Sequence, residues 1–331
     1  MRLSILARIV LALWVAAIPI GCVKNEPPPT TLPEPAPTRW ANPLLGAKFF
    51  VDPASQAASE AKKMGGSAGQ LLMRIANQPQ ADWMGEWTPS IESSVRDRVR
   101  QAQSVGAARV FVAYNIPNRD CGQYSKGGLE DPVKYRKWIL AFARGIGDAG
   151  AVVILEPDAL GQLKSCLSDE DAQERLDLLR YAIRAFRQQP HTAVYLDGGN
   201  ANWLAAEEMA ERLVAAGVKE AHGFSLNVSN YVDTPKSIAY GKSIADHIGE
   251  PVPFVVDTSR NGQGESPDLA WCNPRGRGLG TAPTTATGDP QVHAFLWIKR
   301  PGESDGTCNG GPPAGQWYLE QALELVVKGG S

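Results

Sequence analysis

Carboxylates recur in this chain just past apolar, strand-like runs. Asp52 follows the run 47–51, and Asn115-Ile116-Pro117-Asn118-Arg119-Asp120 follows Tyr114. Glu156-Pro157-Asp158 follows 151–155, Asp197 follows Tyr195-Leu196, and Asp257 follows Val256. Asn230 lies past the run 223–228, and Lys299, Glu303 and Asp305 lie past Trp297-Ile298. Turn formation and helix N-capping account for a few Asp and Asn at such places. They do not account for carboxylates at nearly every turn, with Trp83, Trp203 and Trp271 nearby. That combination suits glycoside hydrolysis. One protonated acid must supply a proton to the leaving oxygen, and a second carboxylate must support the incoming water. Sugar rings lay their C–H faces on aromatic rings, so tryptophan platforms suit a polysaccharide. An Asp cluster holding a metal for hydrolytic chemistry is the other reading. No H-E-x-x-H is present, and His191, His222, His247 and His293 are scattered, which favours structural roles for them. No G-x-S-x-G elbow supports a serine nucleophile either. No metal and no cofactor is expected.

The elements that must position these residues alternate. Apolar, β-branched or aromatic runs occur at 47–51, 108–114, 151–155, 193–196, 223–228, 253–256 and 294–298, with a short one around Trp83. Between them, 3.6-residue patterning marks helices at 55–75, 91–104, 132–146, 169–187, 201–216, 235–248 and 315–327. Strand–helix alternation of this kind means an α/β fold, a parallel sheet with helices outside it. A closed or nearly closed barrel is the favoured form. A doubly wound open sheet is the alternative, although no G-x-G-x-x-G follows the first strand. In a barrel, the ends of the strands converge on one face, where active sites are built.

Composition narrows the partners. The 331 residues carry 33 Lys+Arg against 35 Asp+Glu, a formal charge of −2. A nucleic-acid binder would show a basic excess, so none is expected as a partner. The first residues, 1–22, hold a basic start and an apolar run too short to span a bilayer, which reads as a secretory signal. An uncleaved anchor is the alternative. Ile20-Gly21-Cys22 is similar to the end of a bacterial lipoprotein signal, with Pro19 where that pattern has an aliphatic residue. Membrane attachment through a lipidated Cys22 is therefore open. Either way the protein leaves the cytoplasm. Residues 23–41, rich in proline, read as a semi-rigid tether. The catalytic domain is then 42–331, roughly 290 residues, the size of one α/β barrel.

Seven blocks carry a family resemblance, in order along the chain. They are Tyr114 to Cys121, Ile154 to Asp158, Tyr195 to Trp203, Asn227 to Tyr231, Val256 to Gly262, Trp271-Cys272, and Trp297 to Gly306. From about residue 42 to the end, the chain resembles glycoside hydrolase family 6, the inverting β-1,4-glucanases. The resemblance implies a distorted, TIM-like (β/α) barrel, a seven-stranded form included, with the active site at the C-terminal strand ends. It implies that Asp158 is the general acid and Asp120 a neighbouring carboxylate that raises its pKa. Asp305 takes the position usually proposed as the base. Tyr114 crowds the distorted sugar ring, and Asp197 is a further carboxylate of the site. Arg119 pairs with a carboxylate there. Lys299 and Glu303 contact sugar hydroxyls, Asn230 gives a polar contact, and Trp83, Trp203 and Trp271 are stacking platforms. Core roles for Tyr114 and the tryptophans, and a helix-cap role for Asp197, are the plainer alternatives.

One position departs from the family. A His usually stands three residues past Asp197, and here it is Asn200. Asn keeps a donor and an acceptor but does not titrate, so the substrate contact there is in question. The resemblance also implies two bridges, Cys121–Cys166 and Cys272–Cys308, leaving Cys22 over. The implied function is a secreted, monomeric, inverting endo-β-1,4-glucanase acting on cellulose or related β-glucans. A non-catalytic glucan-binding protein on the same fold is the alternative. Processive members roof their site with two long loops. Here the corresponding segments, 121–131 and 307–314, are short, so an open cleft is expected.

Overall fold

The structure, a computed structural model, describes residues 27–36 and 40–329. The signal-like residues 1–22, including Cys22 and its lipidation, lie outside the described residues. Seven strands run in chain order: β1 Asp82–Met84, β2 Arg109–Ala113, β3 Ala151–Leu155, β4 Thr192–Asp197, β5 Phe224–Leu226, β6 Phe254–Asp257 and β7 Val292–Leu296. Each pairs in parallel with the next, in the order β1 to β7. A doubly wound sheet would reverse its order at a switch point; this one never does, so it curls as a half-barrel. Among the described residues β1 and β7 share no ladder, and single bonds span the seam between them, the Arg300–Asp82 pair at 3.3 Å included. The Ala81 N–H donates to the Trp297 carbonyl at 3.0 Å. The Trp83 indole N–H donates to the Ile298 carbonyl at 2.9 Å, and Arg300 Nε to the Ala81 carbonyl at 2.8 Å.

Successive side chains of a strand point to opposite faces. Val110, Val112 and Tyr114, with Val152, Ile154, Tyr195, Val255 and Leu296, fill the interior. Phe111, Val153, Leu155, Val194 and Leu196 pack outward beneath the helices. Burial on both faces explains why the strands read as unbroken apolar runs. The helices are α1 Gln56–Met64, α2 Gly66–Ala76, α3 Ile91–Gln103, α4 Pro132–Ile146, α5 Asp169–Arg187, α6 Ala206–Ala215, α7 Thr234–Ile248 and α8 Leu319–Lys328. Helices α1, α2 and α8 cover the seam, with Leu72, Ile75, Leu325 and Val326 against Trp297. Helix α4 starts on the Asp131 cap, which accepts the Lys134 N–H, with Pro132 in its first turn. Helix α5 opens on the Ser168 cap with Asp169, Glu170 and Asp171, and closes with Arg184 and Arg187, matching its dipole. Those two arginines also donate to the Leu32 and Ala36 carbonyls, so the described part of the Pro-rich stretch lies along α5.

Some expected elements differ. The run 47–51 makes a single bridge, Phe49 to Ala108, because the turn at Gly46 and Pro53 leave no length for a ladder. The helix expected over 55–75 is two helices, broken at Gly65, whose φ of 60° leaves the helical region. Helix α6 begins after Trp203, whose N–H closes a turn on the Asn200 carbonyl at 3.1 Å.

Two disulfides tie the loops at the C-terminal strand ends. Cys121–Cys166 joins the loop after β2 to that after β3, and Cys272–Cys308 joins the loop after β6 to that after β7. Neither bridge touches the strand ladders, so loss of a bridge should free loops before it melts the barrel. Replacing Cys272 and Cys308 together by Ser should cost about 2–5 kcal/mol of stability. Catalytic activity should vanish at a lower temperature than the far-ultraviolet circular dichroism signal. Coincident loss of both would show that the bridge supports the whole barrel.

Candidate active site

A cavity of about 860 Å³ opens at the C-terminal ends of the strands. Each strand or its following loop sends residues to it: Trp83 from β1, Tyr114, Arg119 and Asp120 after β2, Asp158 after β3, and Asn200 and Trp203 after β4. Asn230 comes after β5, Trp271 after β6, and Lys299, Glu303 and Asp305 after β7. Asp197, the remaining residue singled out from the sequence, ends β4 and lies beneath the cavity floor. Its Oδ2 accepts the Asp158 N–H at 3.0 Å and the Gly199 N–H at 3.1 Å, and Oδ1 accepts the Ser225 hydroxyl at 3.3 Å. Asp197 therefore holds the backbone of Asp158 rather than facing the cavity.

The loop 156–158 is strained. Glu156 and Asp158, either side of Pro157, have φ of 48° and 69°, and Asp120 has φ of 57°. Each left-handed residue costs about 1–3 kcal/mol and persists only where its surroundings fix it. Glu156 supplies part of that fixing. Wholly buried, it accepts the backbone N–H groups of Asn115 and Ile116 and the Tyr135 hydroxyl at 2.9 Å. This joins the β2 loop to the β3 loop. Asp120 is fixed from both sides, its Oδ1 accepting from Gln162 at 2.9 Å and its Oδ2 from the Ser125 N–H at 2.7 Å.

The carboxylates differ in their charges. Burial, then the charges of Asp197, Asp120 and Asp305, push Asp158 well above the ordinary Asp range. No cation lies within ion-pair distance of it among the described residues. Burial also lifts Asp197, to about 7, against the bonds it accepts. Asp305 goes the other way. Burial would raise it, but Arg260 and Lys299 outweigh that and hold it below its ordinary value. Arg260, fully buried, meets its Oδ2 at 2.9 Å, and Lys299 its Oδ1 at 3.6 Å. The Tyr231 hydroxyl and the Asn273 N–H donate to the same Oδ2 at 3.1 and 3.0 Å. Burial lowers the Lys299 ammonium, and burial raises the Tyr114 phenol well above its usual value, so Tyr114 remains protonated.

Other expected residues take specific positions. Arg119 pairs with Glu86 at 2.6 and 2.9 Å and donates to the Tyr114 carbonyl at 2.7 Å. Trp83 meets Tyr114 edge-on at 5.1 Å. Asn200 lines the cavity, but its Oδ1 accepts the Asn202 N–H at 3.0 Å, which shapes the turn carrying Trp203. Lys299 also donates to the Ser304 carbonyl at 3.2 Å, and Glu303 pairs with Arg300 at 3.0 Å. Tyr124 of the short segment 121–131 has its ring 6.0 Å from Trp271 and packs on Gly306. The histidines line no part of the cavity. Burial drives His222 down to about 3 and His293 to about 4, and each holds a structural bond, His293 to the Tyr195 hydroxyl at 2.8 Å.

Sequence reading missed Arg260, Glu86, Tyr231 and Asn273. Arg260 and Tyr231 stand inside blocks that carried the resemblance, Tyr231 next to Asn230. A buried Asp with no local cation demands one from elsewhere, and that demand was the available signal for Arg260. Glu86 had no signal beyond its place after the Trp83 strand.

Among known proteins, Endoglucanase 1 of Streptomyces halstedii is 44% identical over 288 residues, covering 84% of this chain and 88% of that protein. Endoglucanase A of Cellulomonas fimi is 42% identical over 280 residues, and the match spans 84% of this chain but only 60% of that longer protein. Among solved structures, the endoglucanase Cel6 of Mycobacterium tuberculosis, in complex with methyl-cellobiosyl-4-deoxy-4-thio-β-D-cellobioside, superimposes with a TM-score of 0.82. It is 46% identical, and the match covers 87% of this chain and 99% of that one. The sequence model of glycosyl hydrolases family 6 matches residues 44–329, and this chain belongs to that family.

Proposed function

We propose that the chain is a secreted, monomeric, inverting endo-β-1,4-glucanase that cuts internal bonds of cellulose or related β-glucans, with Asp158 as general acid. One observation carries the reading: two carboxylates on one cavity have opposite electrostatic surroundings. Asp158 is raised, without a cation, and Asp305 is lowered by Arg260 and Lys299. Environments that push two titratable groups apart assign acid and base. Asp158 gives its proton to the glycosidic oxygen as the C–O bond breaks. Water adds to the opposite face of the oxocarbenium-like carbon, and its proton passes towards Asp305. A carboxylate held this firmly by cations is a weak base, so ordered water is expected to share the transfer. Inverting pairs leave roughly 6.5–9.5 Å between carboxyl groups for that water. The endoglucanase names of the relatives and the cello-oligosaccharide analogue on the M. tuberculosis enzyme support the glucan substrate.

Secretion is supported by the signal-like start and by the two disulfides, which persist outside the cytoplasm. We assign 1–22 to the signal, with lipidation of Cys22 as its variant, 23–41 to the Pro-rich connector and 42–331 to the catalytic domain.

Asp158→Asn should lower kcat on cello-oligosaccharides by about 10²- to 10⁴-fold, because a positioned acid is worth that much. An activated aryl cellobioside, which needs little protonation, should suffer far less. Proton NMR of the first wild-type products should show the α-anomer. Equal losses on both substrates would remove Asp158 as the acid, and a β-anomer would remove inversion.

The pH profile of kcat/KM should be a bell. Asp305 must be ionised, and its lowered pKa puts the acidic limb below the ordinary Asp value of 3.8. Asp158 must be protonated, so activity falls as pH rises through its raised pKa. Asp197→Asn removes the charge that contributes most to raising Asp158 after burial, yet Asn keeps an oxygen for the Asp158 N–H. The alkaline limb should move to lower pH. An unmoved limb would show that Asp197 does not set the ionisation of Asp158.

A further inference from the structure

The turn after β1 carries a second tryptophan. Met84-Gly85-Glu86-Trp87-Thr88 closes through the Thr88 N–H to the Gly85 carbonyl at 2.9 Å and the Gly85 N–H to Thr88 Oγ1 at 3.3 Å. The turn folds the Trp87 indole back onto Gly85. A Cβ on Gly85 would lie 2.5 to 2.8 Å from three atoms of the six-membered ring, so only glycine lets the ring rest there. The Arg119 guanidinium holds the ring too, 5.1 Å from its centroid. Arg119 is itself immobilised by both Glu86 oxygens, the Tyr114 carbonyl and the Ser125 carbonyl. Even so, 52% of Trp87 is exposed, and it lines the same cavity as Asp158.

Trp203 is built the same way. Its ring rests on Gly161, where a Cβ would lie 2.4 to 2.7 Å from ring atoms, and it is 37% exposed. Both sites spend a glycine on an indole that is open to the cavity. An indole needed only to fill space would be covered. A ring fixed in advance loses little freedom when a ligand lies on it, which is what a binding platform requires. The Arg119 guanidinium that meets Trp87 also lies 4.6 Å from the Tyr114 ring, and Trp83 meets that same ring edge-on at 5.1 Å. Trp87 therefore belongs to the Trp83–Tyr114–Arg119 wall of the cavity.

We propose that Trp87 is a further stacking site, for a glucosyl unit at the far end of the glucan on the Trp83 side, and that it extends the chain length the enzyme recognises. The inference rests on the endoglucanase reading, and its test separates the two. Initial rates on cellotetraose and cellohexaose are compared for the wild type, Trp87→Ala and Trp87→Phe. For Trp87→Ala, the fall in kcat/KM on the hexaose should exceed that on the tetraose about tenfold, the order of one lost aromatic contact. The loss should sit in KM more than in kcat, and Trp87→Phe should recover most of it. Calorimetric titration of both sugars into Asp158→Asn, with and without Trp87→Ala, should show the same length dependence in Kd. Equal losses at both lengths, or no loss on the hexaose, overturn the proposal. If the wild type cleaves neither sugar, the endoglucanase reading fails instead, and the calorimetry still decides Trp87.

Discussion

The site depends on an unequal allotment of cations among carboxylates crowded on one barrel rim. Taking an ion from water costs several kcal/mol, and a buried charge survives only when paired or when it takes up a proton. Asp305 has Arg260, Lys299, a tyrosine hydroxyl and a backbone N–H. Asp158 has none of these and faces other carboxylates. One group is forced to stay ionised, and the other is pushed to keep its proton. The polarity of the proposed reaction is thus set by where Arg260 sits. A fully buried guanidinium is expensive in its own right, and here it lies against the one carboxylate that the proposed reaction needs charged. Removing it would leave Asp305 buried without its main partner, to the detriment of both folding and chemistry.

The barrel serves that allotment through its irregular parts. The seam between β1 and β7 is closed by single bonds rather than a ladder, and Trp83, a seam donor, is also a cavity wall. A structural duty and a place in the cavity lining meet in the same indole. Arg300 repeats the pattern, donating to the Ala81 carbonyl across the seam and pairing with Glu303 in the cavity. Strain is placed likewise. Left-handed residues cluster at Asp120, Cys121, Glu156 and Asp158, and each sits where a side chain or a disulfide from a neighbouring loop fixes it. The loops after β2 and β3 therefore act as one unit, with Glu156 beneath and Cys121–Cys166 above.

Much of this was legible in the chain because strand ends announce themselves. Apolar runs buried on both faces stand out, and whatever follows them must lie at the rim. That logic placed Asp120, Asp158 and Asp305 together before any coordinates. Asp197, on the same side of β4 as Tyr195, meets the site through the backbone N–H of Asp158, a partner that no residue pattern announces. The apolar pattern also read 55–75 as one helix, because Gly65-Gly66 interrupts the backbone without interrupting the apolar period. Arg260 and Glu86 were invisible for a different reason. Their importance comes from partners 45 and 33 residues away, and pairing over such distances is a property of the fold. Asn200 was legible as a departure but not as a solution. Its side chain turns the backbone that presents Trp203, a duty for which a titratable ring is not required.

The roof of the cleft is the remaining physical question, and Tyr124 answers it in part. Loops of 121–131 and 307–314 are too short to cover a sugar chain, as an extended residue spans at most about 3.3–3.6 Å. Tyr124, from the first of them, instead reaches Trp271 of the loop after β6 and rests on Gly306, just before the second. The contact is a tilted ring pair whose members remain 48% and 45% exposed. A pair of that kind contributes about 0.5–1.5 kcal/mol beyond the area it covers, a few times thermal energy at most. A buried loop-on-loop roof would be far harder to lift. Tyr124 and Trp271 both line the cavity, so in the proposed reading they border the path of a glucan that enters at mid-length. Endo action in the proposed reading therefore rests on the shortness of these two loops, with Tyr124 and Trp271 as a weak contact at the cleft wall.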